Sequence, residues 1–560
     1  MNVEVARQCL EHLFALGVRE LCLCPGSRNA PLVELLSRSS DFHLWTFFEE
    51  RSAAFFALGR SQVLRQPVAV ITTSGTAAAE LLPAAIEAHY LRVPLVLVTA
   101  DRPKSYRGQG APQSIEQVGL FSTYVESSLD CSPEDLTPWS ELSSWSVQRP
   151  IHINLCFDEP LIDGPLMDGS LLDLELCLKE AQAPKKARDF SPSLSTQSGT
   201  GSVAESLRAF AQRSQRPLVI VGGLPLGYAE RVAELLIAVG APCLLEAPSG
   251  LRQGPEELRR LQWTSGESLL RELIRQGEID GILRFGGVPS LRLWRDLEKE
   301  FRSLPVLSFA LGGFSGLSRQ RPSSSTESVH LERLWGAEPS ALETVQVLSN
   351  CWPGSQRQAL LDRDRDRRRQ LDQLVDGEPE SEWAWVRRIS ESIGPKAHVF
   401  LGNSLPVREW DNWASVGPRQ WRIHANRGAN GIDGLVSSFL GLIQGSDEEN
   451  WALLGDLSAL YDLAGLWPLG QIQARLQARA QLVILNNQGG QIFRGLYGHP
   501  IYQNRHQLGF RSWAEMWGLE YRLLTQPQEL KALDSVSMIF EVRPDNQATE
   551  RLERALKKGL

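Results

Sequence analysis

Two strand ends in the C-terminal third of the chain carry oxygen ligands suited to a metal ion. The stretch ALLGDLSALYDL places Gly455 and Asp456 after one apolar run, and LVILNNQGGQIF places Asn486 and Asn487 after the next. Polar residues at strand ends of open α/β sheets face the ligand crevice, where a carboxylate and an amide oxygen could share one Mg²⁺ with phosphate oxygens. Gly489 would let a backbone carbonyl join them. The structural alternative is a helix N-cap at Asp456 and an asparagine-glycine turn.

Arginines recur near other predicted strand ends: Arg28 in PGSRN, Arg102 in TADRP, Arg408 in NSLPVR and Arg427 in NRGANG. Arginine is preferred over lysine where a planar carboxylate is bound through two parallel hydrogen bonds. A surface ion pair explains any one of them taken singly. Four at predicted crevice edges favour a substrate that carries several carboxylates.

The elements that must position these residues alternate between short apolar strands and helices, a pattern typical of βαβ units and parallel sheets. We predict an α/β protein of three domains with mostly parallel sheets, at residues 1–182, 200–350 and 380–560. A Pro- and Ser-rich linker, 183–202, follows the first domain. The charged run LLDRDRDRRRQLDQL predicts a solvated helix rather than a nucleic-acid patch.

Composition narrows the class of protein. A chain of 560 residues is too long for one core, and its net charge of −8 argues against a general nucleic-acid binder. The longest apolar runs are far shorter than the roughly 20 residues of a membrane helix. The N-terminal stretch reads as an amphipathic helix rather than a signal peptide. The eight cysteines are scattered without a disulfide or metal-site pattern, so we expect a reducing cytoplasm.

Gly-Asp followed at a distance by Asn-Asn resembles the diphosphate motif of thiamine-diphosphate enzymes. The motif runs here from Gly455-Asp456 to Asn486-Asn487, with Leu457 where many members of that superfamily carry glycine. The resemblance implies that thiamine diphosphate is the cofactor and that Mg²⁺ or Mn²⁺ is bound. The implied metal ligands are Asp456, Asn487 and Gly489, and the implied cofactor contacts here are Gly455, Leu457 and Ser458.

The same resemblance gives a role to an acidic pair in the first domain. In FFEERSAAFFALG, Glu49 and Glu50 follow an apolar strand and begin a helical pattern. Thiamine chemistry needs one carboxylate against N1′ of the aminopyrimidine, and Glu50 occupies that position by resemblance. The alternative is that both acids only complement the helix dipole.

Several segments together resemble one family, 2-succinyl-5-enolpyruvyl-6-hydroxy-3-cyclohexene-1-carboxylate synthase of menaquinone and phylloquinone biosynthesis. They are CPGSRNAPL, EER, TSGTAAAELLPAAIEA, TADRP, GNSLPVR, NRGANGIDG, GDLSALYDL and NNQGGQIF, and they span residues 24 to 493, although the middle domain contributes little. The resemblance implies a pyrimidine-binding first domain and a diphosphate-binding third domain. It also implies decarboxylation of 2-oxoglutarate and addition of the resulting carbanion to isochorismate.

Further site residues are implied by this resemblance. The substrate-binding residues are Ser27, Arg28, Arg102, Gln113, Arg292, Ser404, Arg408 and Arg427, with Ser404 also at the cofactor. Arg292 stands where the family usually has lysine, so the charge is kept and the geometry is not. Ile432 matches the residue that holds the two cofactor rings in a bent conformation, and Ile492 and Phe493 would line the pocket of the carbanion. Core packing is the alternative explanation for these three apolar residues.

Two rival functions stay open. One is another thiamine-diphosphate-dependent decarboxylase or carboligase acting on a 2-oxoacid. The other is a Rossmann oxidoreductase, which would need a G-x-G-x-x-G turn at the start of a helix, and no such turn follows the first strands. Members of the resembled family complete each site between two subunits, so we expect a homodimer or homotetramer.

Overall fold

A computed structural model describes most of the chain: residues 1–135, 137–164, 203–225, 227–322, 325–335, 347–349, 351–473, 480–497, 499–526 and 537–557. It contains three α/β sheets in two compact units. The first unit holds the first sheet together with segments Asn426–Asp447 and Leu457–Ala480, and the second unit holds the other two sheets. The predicted linker 183–202 lies outside the described residues, and the predicted domain boundaries stay a prediction.

Within the described residues, seventeen strands make up the three sheets. They are β1 Glu20–Leu23, β2 His43–Thr46, β3 Val68–Thr72, β4 Leu95–Asp101, β5 Ser128–Cys131, β6 Ile151–Cys156, β7 Pro217–Val221, β8 Cys243–Leu245, β9 Gly281–Gly286, β10 Val306–Ala310, β11 Thr326–His330, β12 Lys396–Leu401, β13 Gln420–His424, β14 Glu449–Gly455, β15 Ala480–Leu485, β16 Glu520–Leu524 and β17 Met538–Val542.

The α-helices flank these strands. They are Asn2–Ala15, Ala30–Arg38, Glu50–Leu64, Thr76–Ala79, Leu82–Leu91, Val203–Arg213, Ala229–Val239, Glu256–Leu261, Glu267–Arg275, Arg292–Asp296, Gly354–Asp376, Glu382–Ser392, Leu405–Trp413, Leu435–Ile443, Asp456–Tyr461, Leu469–Gln473, Arg511–Met516 and Asn546–Lys557. The charged run predicted to be a helix lies within Gly354–Asp376, as expected. In the part of the chain that the structure describes, no helix is long and apolar enough to cross a membrane.

The first and third sheets have the same topology. Their strand orders are β2-β1-β3-β4-β6-β5 and β13-β12-β14-β15-β17-β16, and the second sheet has the order β11-β10-β9-β7-β8. Strand pairs in all three sheets are parallel. The order reverses between β1 and β3 in the first sheet and between β12 and β14 in the third. Such a switch point leaves a crevice at the carboxyl ends of the strands, where ligands bind in open α/β sheets.

Most strands were predicted from their apolar runs, but four were missed. They are β5, β6, β11 and β16. Strand β6 is fully buried yet contains His152 and Asn154, which interrupt the apolar pattern of IHINLC. Inside the first unit, Thr99 Oγ1 lies 2.8 Å from His152 Nε2 and donates to Asn154 Oδ1 at 2.9 Å, so both polar side chains are satisfied within the sheet. Burial lowers the pKa of His152 to about 3, which keeps the ring neutral.

Two helices of the first unit approach each other through glycines. Helix Glu50–Leu64 carries Gly59, where a Cβ would overlap the carbonyl oxygen of Ser438. Helix Leu435–Ile443 carries Gly441, where a Cβ would overlap the carbonyl oxygen of Phe56. Arg60 adds a hydrogen bond to the carbonyl of Gln444 at 2.9 Å. The backbones are therefore in direct contact, and this contact fixes the helix that begins at Glu50.

We expect Gly441→Ala to destabilise the protein by about 1–3 kcal/mol, because the added methyl group must push the two backbones apart. Gly470→Ala is the matched control. Gly470 also lies in a helix, a Cβ there meets open space, and alanine is the better helix former. Urea unfolding followed by circular dichroism measures the effect. Equal midpoints for the two variants would contradict the packing described.

Candidate active site

The carboxyl edge of the third sheet brings the predicted metal residues together, next to its switch point. Strands β14 and β15 are neighbours, so Asp456 and Asn487 follow adjacent carboxyl ends. Asp456 is 2% exposed, and its Oδ2 accepts the backbone N–H of Gly489 at 2.8 Å. The first residue of helix Asp456–Tyr461 is thus bonded to the loop that follows the next strand. A helix N-cap alone does not account for this contact.

Gly489 has the conformation that the sequence argument required of it. Its φ is +127°, and a Cβ there would overlap the carbonyl oxygen of Gln503. Only glycine fits without displacing backbone. The preceding residue, Gln488, also has a positive φ, of 66°. The loop after β15 is therefore bent so that the N–H of Gly489 faces Asp456.

The two adjacent asparagines do different work. Asn486 Nδ2 donates to the carbonyl of Leu508 at 2.9 Å and to Glu541 Oε1 at 2.8 Å, which anchors the loop. Asn487 Nδ2 lies 2.9 and 3.0 Å from the two carboxylate oxygens of Glu382. Within the described ranges, Asn487 Oδ1 accepts no hydrogen bond. Asn487, and not Asn486, presents an amide oxygen that a cation could use.

Sequence reasoning missed a histidine beside this edge. His506 Nδ1 accepts the backbone N–H of Leu508 at 3.2 Å, so in the neutral ring the proton lies on Nε2. His506 Nε2 lies 3.2 Å from Asp456 Oδ2. The ring is therefore close to the buried carboxylate, but its Nε2 is not aligned for a hydrogen bond with it. Its place twenty residues along a loop of irregular structure gives no sequence signal.

Two buried acids behind Asn487 were also missed. Glu382 is 2% exposed and Glu409 is 5% exposed, and their carboxyl groups lie next to each other. Burial raises the pKa of both carboxyl groups, that of Glu382 to about 7 and that of Glu409 well above its usual range. The two acids lie in the helical segments EWAWVRRI and PVREWDNW. An acid in such a segment is expected to face solvent, so the sequence offers no reason to select either one.

The strand on the other side of the switch point ends before Ser404 and Arg408. Ser404 has φ +74°, a strained value for a residue with a side chain, and precedes helix Leu405–Trp413. Arg408 Nη1 donates to the carbonyl of Ser404. Together with Glu409 it lines a cavity of about 300 Å³ in the second unit. Arg292 lies on the middle sheet's side of the same unit, 64% exposed and 3.9 Å from Asp296, and does not line that cavity.

In the first unit the two neighbouring acids of the EER segment are distinguished clearly. Glu49 is the N-cap of helix Glu50–Leu64, and its carboxylate accepts the N–H groups of Arg51 at 3.2 Å and Ser52 at 2.9 Å. Glu50 is the first residue of the helix and is half-buried, and burial raises its pKa. The capping explanation thus applies to Glu49 and leaves Glu50 for another role.

The predicted substrate arginines of the first sheet lie at its strand ends. Arg28 follows β1, is 8% exposed, and donates to the carbonyl of Phe157 at 3.0 Å. Arg102 follows β4, and its Nε donates to the carbonyl of Pro112 at 3.1 Å. Ser27, next to Arg28, is exposed. These contacts orient the two guanidinium groups and use only part of their donor capacity.

Gln113 lies beside the loop that follows β3. Gly75 has φ +85°, and a Cβ there would lie 3.2 Å from Gln113 Cα. The N–H of Gly75 donates to Gln117 Oε1 at 2.8 Å, and Gln117 Nε2 donates to Asn154 Oδ1 at 2.9 Å. This buried chain of hydrogen bonds holds the two loops next to each other. Gln113 itself is exposed.

Arg427 and Ile432 belong to a loop that a buried acid organises. Glu87, 3% exposed, accepts the N–H groups of Gly428 and Ala429, both at 2.7 Å. Burial raises the pKa of Glu87, and the nearby Arg427 charge opposes that rise. Ile432 is half-buried in the same loop. Glu87 was missed in the sequence because it looks like one more residue of an alanine-rich helix.

The remaining predicted cofactor residues follow the two motif strands. Gly455, Leu457 and Ile492 are half-buried, Ser458 is 2% exposed and Phe493 is 38% exposed. Phe493 contacts Tyr497 with ring centroids 6.1 Å apart. Their burial does not distinguish cofactor contact from core packing, so their roles stay predictions.

The donor set at the third sheet fits a hard divalent cation. The Asp456 carboxylate and the Asn487 amide oxygen are oxygen ligands of the kind that Mg²⁺ prefers, and the Gly489 carbonyl stays a predicted ligand. Among the described residues no group of three His, Cys, Asp or Glu side chains could hold a metal, so a zinc-type site is not built there. A diphosphate would complete the coordination.

Comparison with known proteins agrees with this arrangement. A family model described as "Thiamine pyrophosphate enzyme, N-terminal TPP binding domain" matches residues 3–120. The fold and site define a thiamine-diphosphate enzyme.

Three relatives carry the name 2-succinyl-5-enolpyruvyl-6-hydroxy-3-cyclohexene-1-carboxylate synthase. The protein of Bdellovibrio bacteriovorus is 41% identical over 98% of this chain and 97% of its own, and that of Akkermansia muciniphila is 37% identical over 96% of each. The protein of Geobacillus kaustophilus is 31% identical over 98% of this chain and 96% of its own. The chain belongs to this synthase family, as its motifs predicted.

The free energy of unfolding can test whether Glu49, and not Glu50, caps the helix. We expect Glu49→Ala to lower the free energy of unfolding by about 1 kcal/mol, because two backbone N–H groups lose their acceptor. Glu50→Gln should stay within about 0.5 kcal/mol of the wild type, since it removes no cap. Thermal and urea unfolding of both variants provide the check. A larger loss for Glu50→Gln would reverse the assignment.

Proposed function

We propose that the chain catalyses the decarboxylation of 2-oxoglutarate and joins the resulting succinyl unit to isochorismate, in menaquinone or phylloquinone biosynthesis. The observation that carries the proposal is the group Asp456, Asn487 and Gly489 at the carboxyl ends of β14 and β15. We propose that these residues hold Mg²⁺ or Mn²⁺ and, through it, the cofactor's diphosphate.

Thiamine diphosphate supplies the nucleophilic carbon and the electron sink when bound. The chain's own residues bind and orient the reactants around it. Glu50 would accept or share the proton of the aminopyrimidine ring, and burial raises its pKa, which suits that role. Ile432 would pack against the cofactor rings, and Ile492 and Phe493 would line the pocket of the reacting carbon.

The arginines account for substrate choice. Both proposed substrates carry two carboxylates, and Arg28, Arg102, Arg408 and Arg427 provide bidentate donors at strand ends and in ordered loops. Ser27, Gln113 and Ser404 add hydrogen bonds. Arg292 supplies positive charge from the middle sheet's side. A related carboligase with a different 2-oxoacid is the second candidate, and it would share the cofactor edge but not this set of arginines.

The substrate assignment predicts strong preference for 2-oxoglutarate over pyruvate. Pyruvate lacks the distal carboxylate, and losing a charged hydrogen bond costs roughly 1.5–3 kcal/mol, so kcat/KM should fall at least about tenfold. The measurement is CO₂ release from each oxoacid, with and without isochorismate, in the presence of cofactor and Mg²⁺. Arg→Lys at each of the four positions should mainly raise the KM of one substrate. Equal use of both oxoacids would favour the second candidate.

We also propose that the active unit is at least a homodimer. Aromatic side chains are exposed beside both halves of the site. Phe48, next to the acid pair, is 58% exposed and packs edge-on against Trp467 at 4.9 Å. Phe493, Tyr497 and Tyr502 are 38%, 48% and 48% exposed in the second unit. Exposed aromatic groups of this kind mark interaction surfaces, and a second copy of the chain is the partner that the family resemblance implies.

A shared site predicts complementation between inactive chains. Glu50→Gln and Asp456→Ala should each be inactive alone, because the first loses the acid and the second loses a metal ligand. After subunit exchange, hybrid dimers would contain one intact site, and up to about half of the activity of a wild-type site pair should return. Native mass spectrometry verifies the exchange. Verified hybrids without activity would place each site within one chain.

The cell compartment proposed is the cytoplasm. Seven cysteines among the described residues are buried free thiols, and none is positioned in a disulfide in that part of the chain. Such thiols are typical of a reducing environment.

A further inference from the structure

Glu382 is a buried carboxylate with no place in the motif of the site. It is the first residue of helix Glu382–Ser392, whose cap is Ser381 through a hydrogen bond to the N–H of Ala384. An acid at this helix position normally faces solvent. Here Glu382 is 2% exposed, and its backbone N–H donates to Thr549 Oγ1 at 3.0 Å. A carboxyl group buried this deeply needs hydrogen-bond partners that offset its loss of contact with water.

Its partner on one side is the side-chain amide of Asn487. Both oxygens of Glu382 lie within 3.0 Å of Asn487 Nδ2, so only the amide nitrogen can face the carboxylate. The amide oxygen then points away from Glu382. The main chain of Asn487 is also held, since its carbonyl accepts Gln491 Nε2 and Asn546 Nδ2, both at 3.0 Å. Asn487 is therefore held through its side-chain nitrogen and through its main-chain carbonyl, which fixes the orientation of its amide.

On the other side Glu382 lies next to the buried carboxyl group of Glu409. Both oxygens of Glu382 nevertheless contact Asn487 Nδ2, at 2.9 and 3.0 Å. Partners that hold the remote end of a metal-binding side chain orient its ligand atom.

We propose that Glu382 is a positioning residue that fixes the Asn487 amide with its oxygen towards the divalent cation. The inference rests on the proposed metal role of Asp456 and Asn487. Glu382 contacts neither cofactor nor substrate and acts through Asn487.

The test is Mn²⁺ binding to the full-length protein at saturating thiamine diphosphate, measured by electron paramagnetic resonance. Glu382→Gln should weaken Mn²⁺ binding about 10- to 100-fold, the usual effect of losing the partner of a metal ligand. Because both Glu382 oxygens contact Nδ2, either rotamer of the new amide sets an N–H against that of Asn487. Glu409→Gln is the matched control, since it changes the neighbouring buried acid and leaves the contacts between Glu382 and Asn487 in place, and it should bind Mn²⁺ like the wild type.

A rescue separates positioning from general damage. Asn487→Asp places two carboxylates against each other and should weaken Mn²⁺ binding. Adding Glu382→Gln to Asn487→Asp supplies an N–H donor and should restore binding above that of Asn487→Asp alone. A merely structural role predicts additive losses instead. Circular dichroism checks that each variant folds. The comparison of Asn487→Asp with the double variant does not require the Glu382→Gln single variant.

The outcomes are distinguishable. Wild-type-like binding by Glu382→Gln, an equal loss in Glu409→Gln, or no rescue in the double variant would overturn this inference and leave the metal site in place. A wild type that binds thiamine diphosphate without Mn²⁺ or Mg²⁺ would overturn the metal site and the inference with it.

Discussion

The carboxyl edge of the third sheet depends on one hydrogen bond, from the N–H of Gly489 to the carboxylate of Asp456. It joins the ends of two neighbouring parallel strands, of which β14 continues into a helix and β15 into an irregular loop. A hydrogen bond to an ionised group is stronger than one between neutral groups, so this bond sets the path of the loop. The contacts of Asn487 and the approach of His506 both require that path.

Buried or half-buried acids repeat this arrangement elsewhere in the chain. Glu87 holds the loop of Gly428 and Ala429, Glu49 holds the start of a helix, and Glu382 holds a side-chain amide. Each carboxylate accepts at least two N–H contacts, which offset the cost of removing it from water. Loops without regular structure gain defined positions in this way. It explains how irregular segments can carry site residues in both compact units.

The sequence predicted what its local patterns encode. Apolar runs identified most of the strands, and polar residues at their ends identified the edge of Asp456 and Asn487. It could not identify Glu87, Glu382 or His506, because a single acid in a helical pattern or a histidine in a loop becomes informative only when its spatial partner is known. Strand β6 was missed for a related reason: His152 and Asn154 are polar, and only the sheet provides their hydrogen bonds. The matching order of the first and third sheets leaves no repeat in the sequence, since many apolar sequences are compatible with one topology.

Residue pairs at the strand ends show why the motif has the form it has. The end of a strand beside a binding site has two requirements. The loop that follows the strand must be anchored, and a functional group must face the crevice. In Asn486-Asn487 the first side chain ties the loop to Glu541 and Leu508, and the second keeps an oxygen that accepts no hydrogen bond from the described residues. In Glu49-Glu50 the first residue caps the helix, so the second is not needed for capping. Since one side chain cannot face the scaffold and the crevice at once, both positions use neighbouring residues of the same chemical type, of which only the second is available to the site.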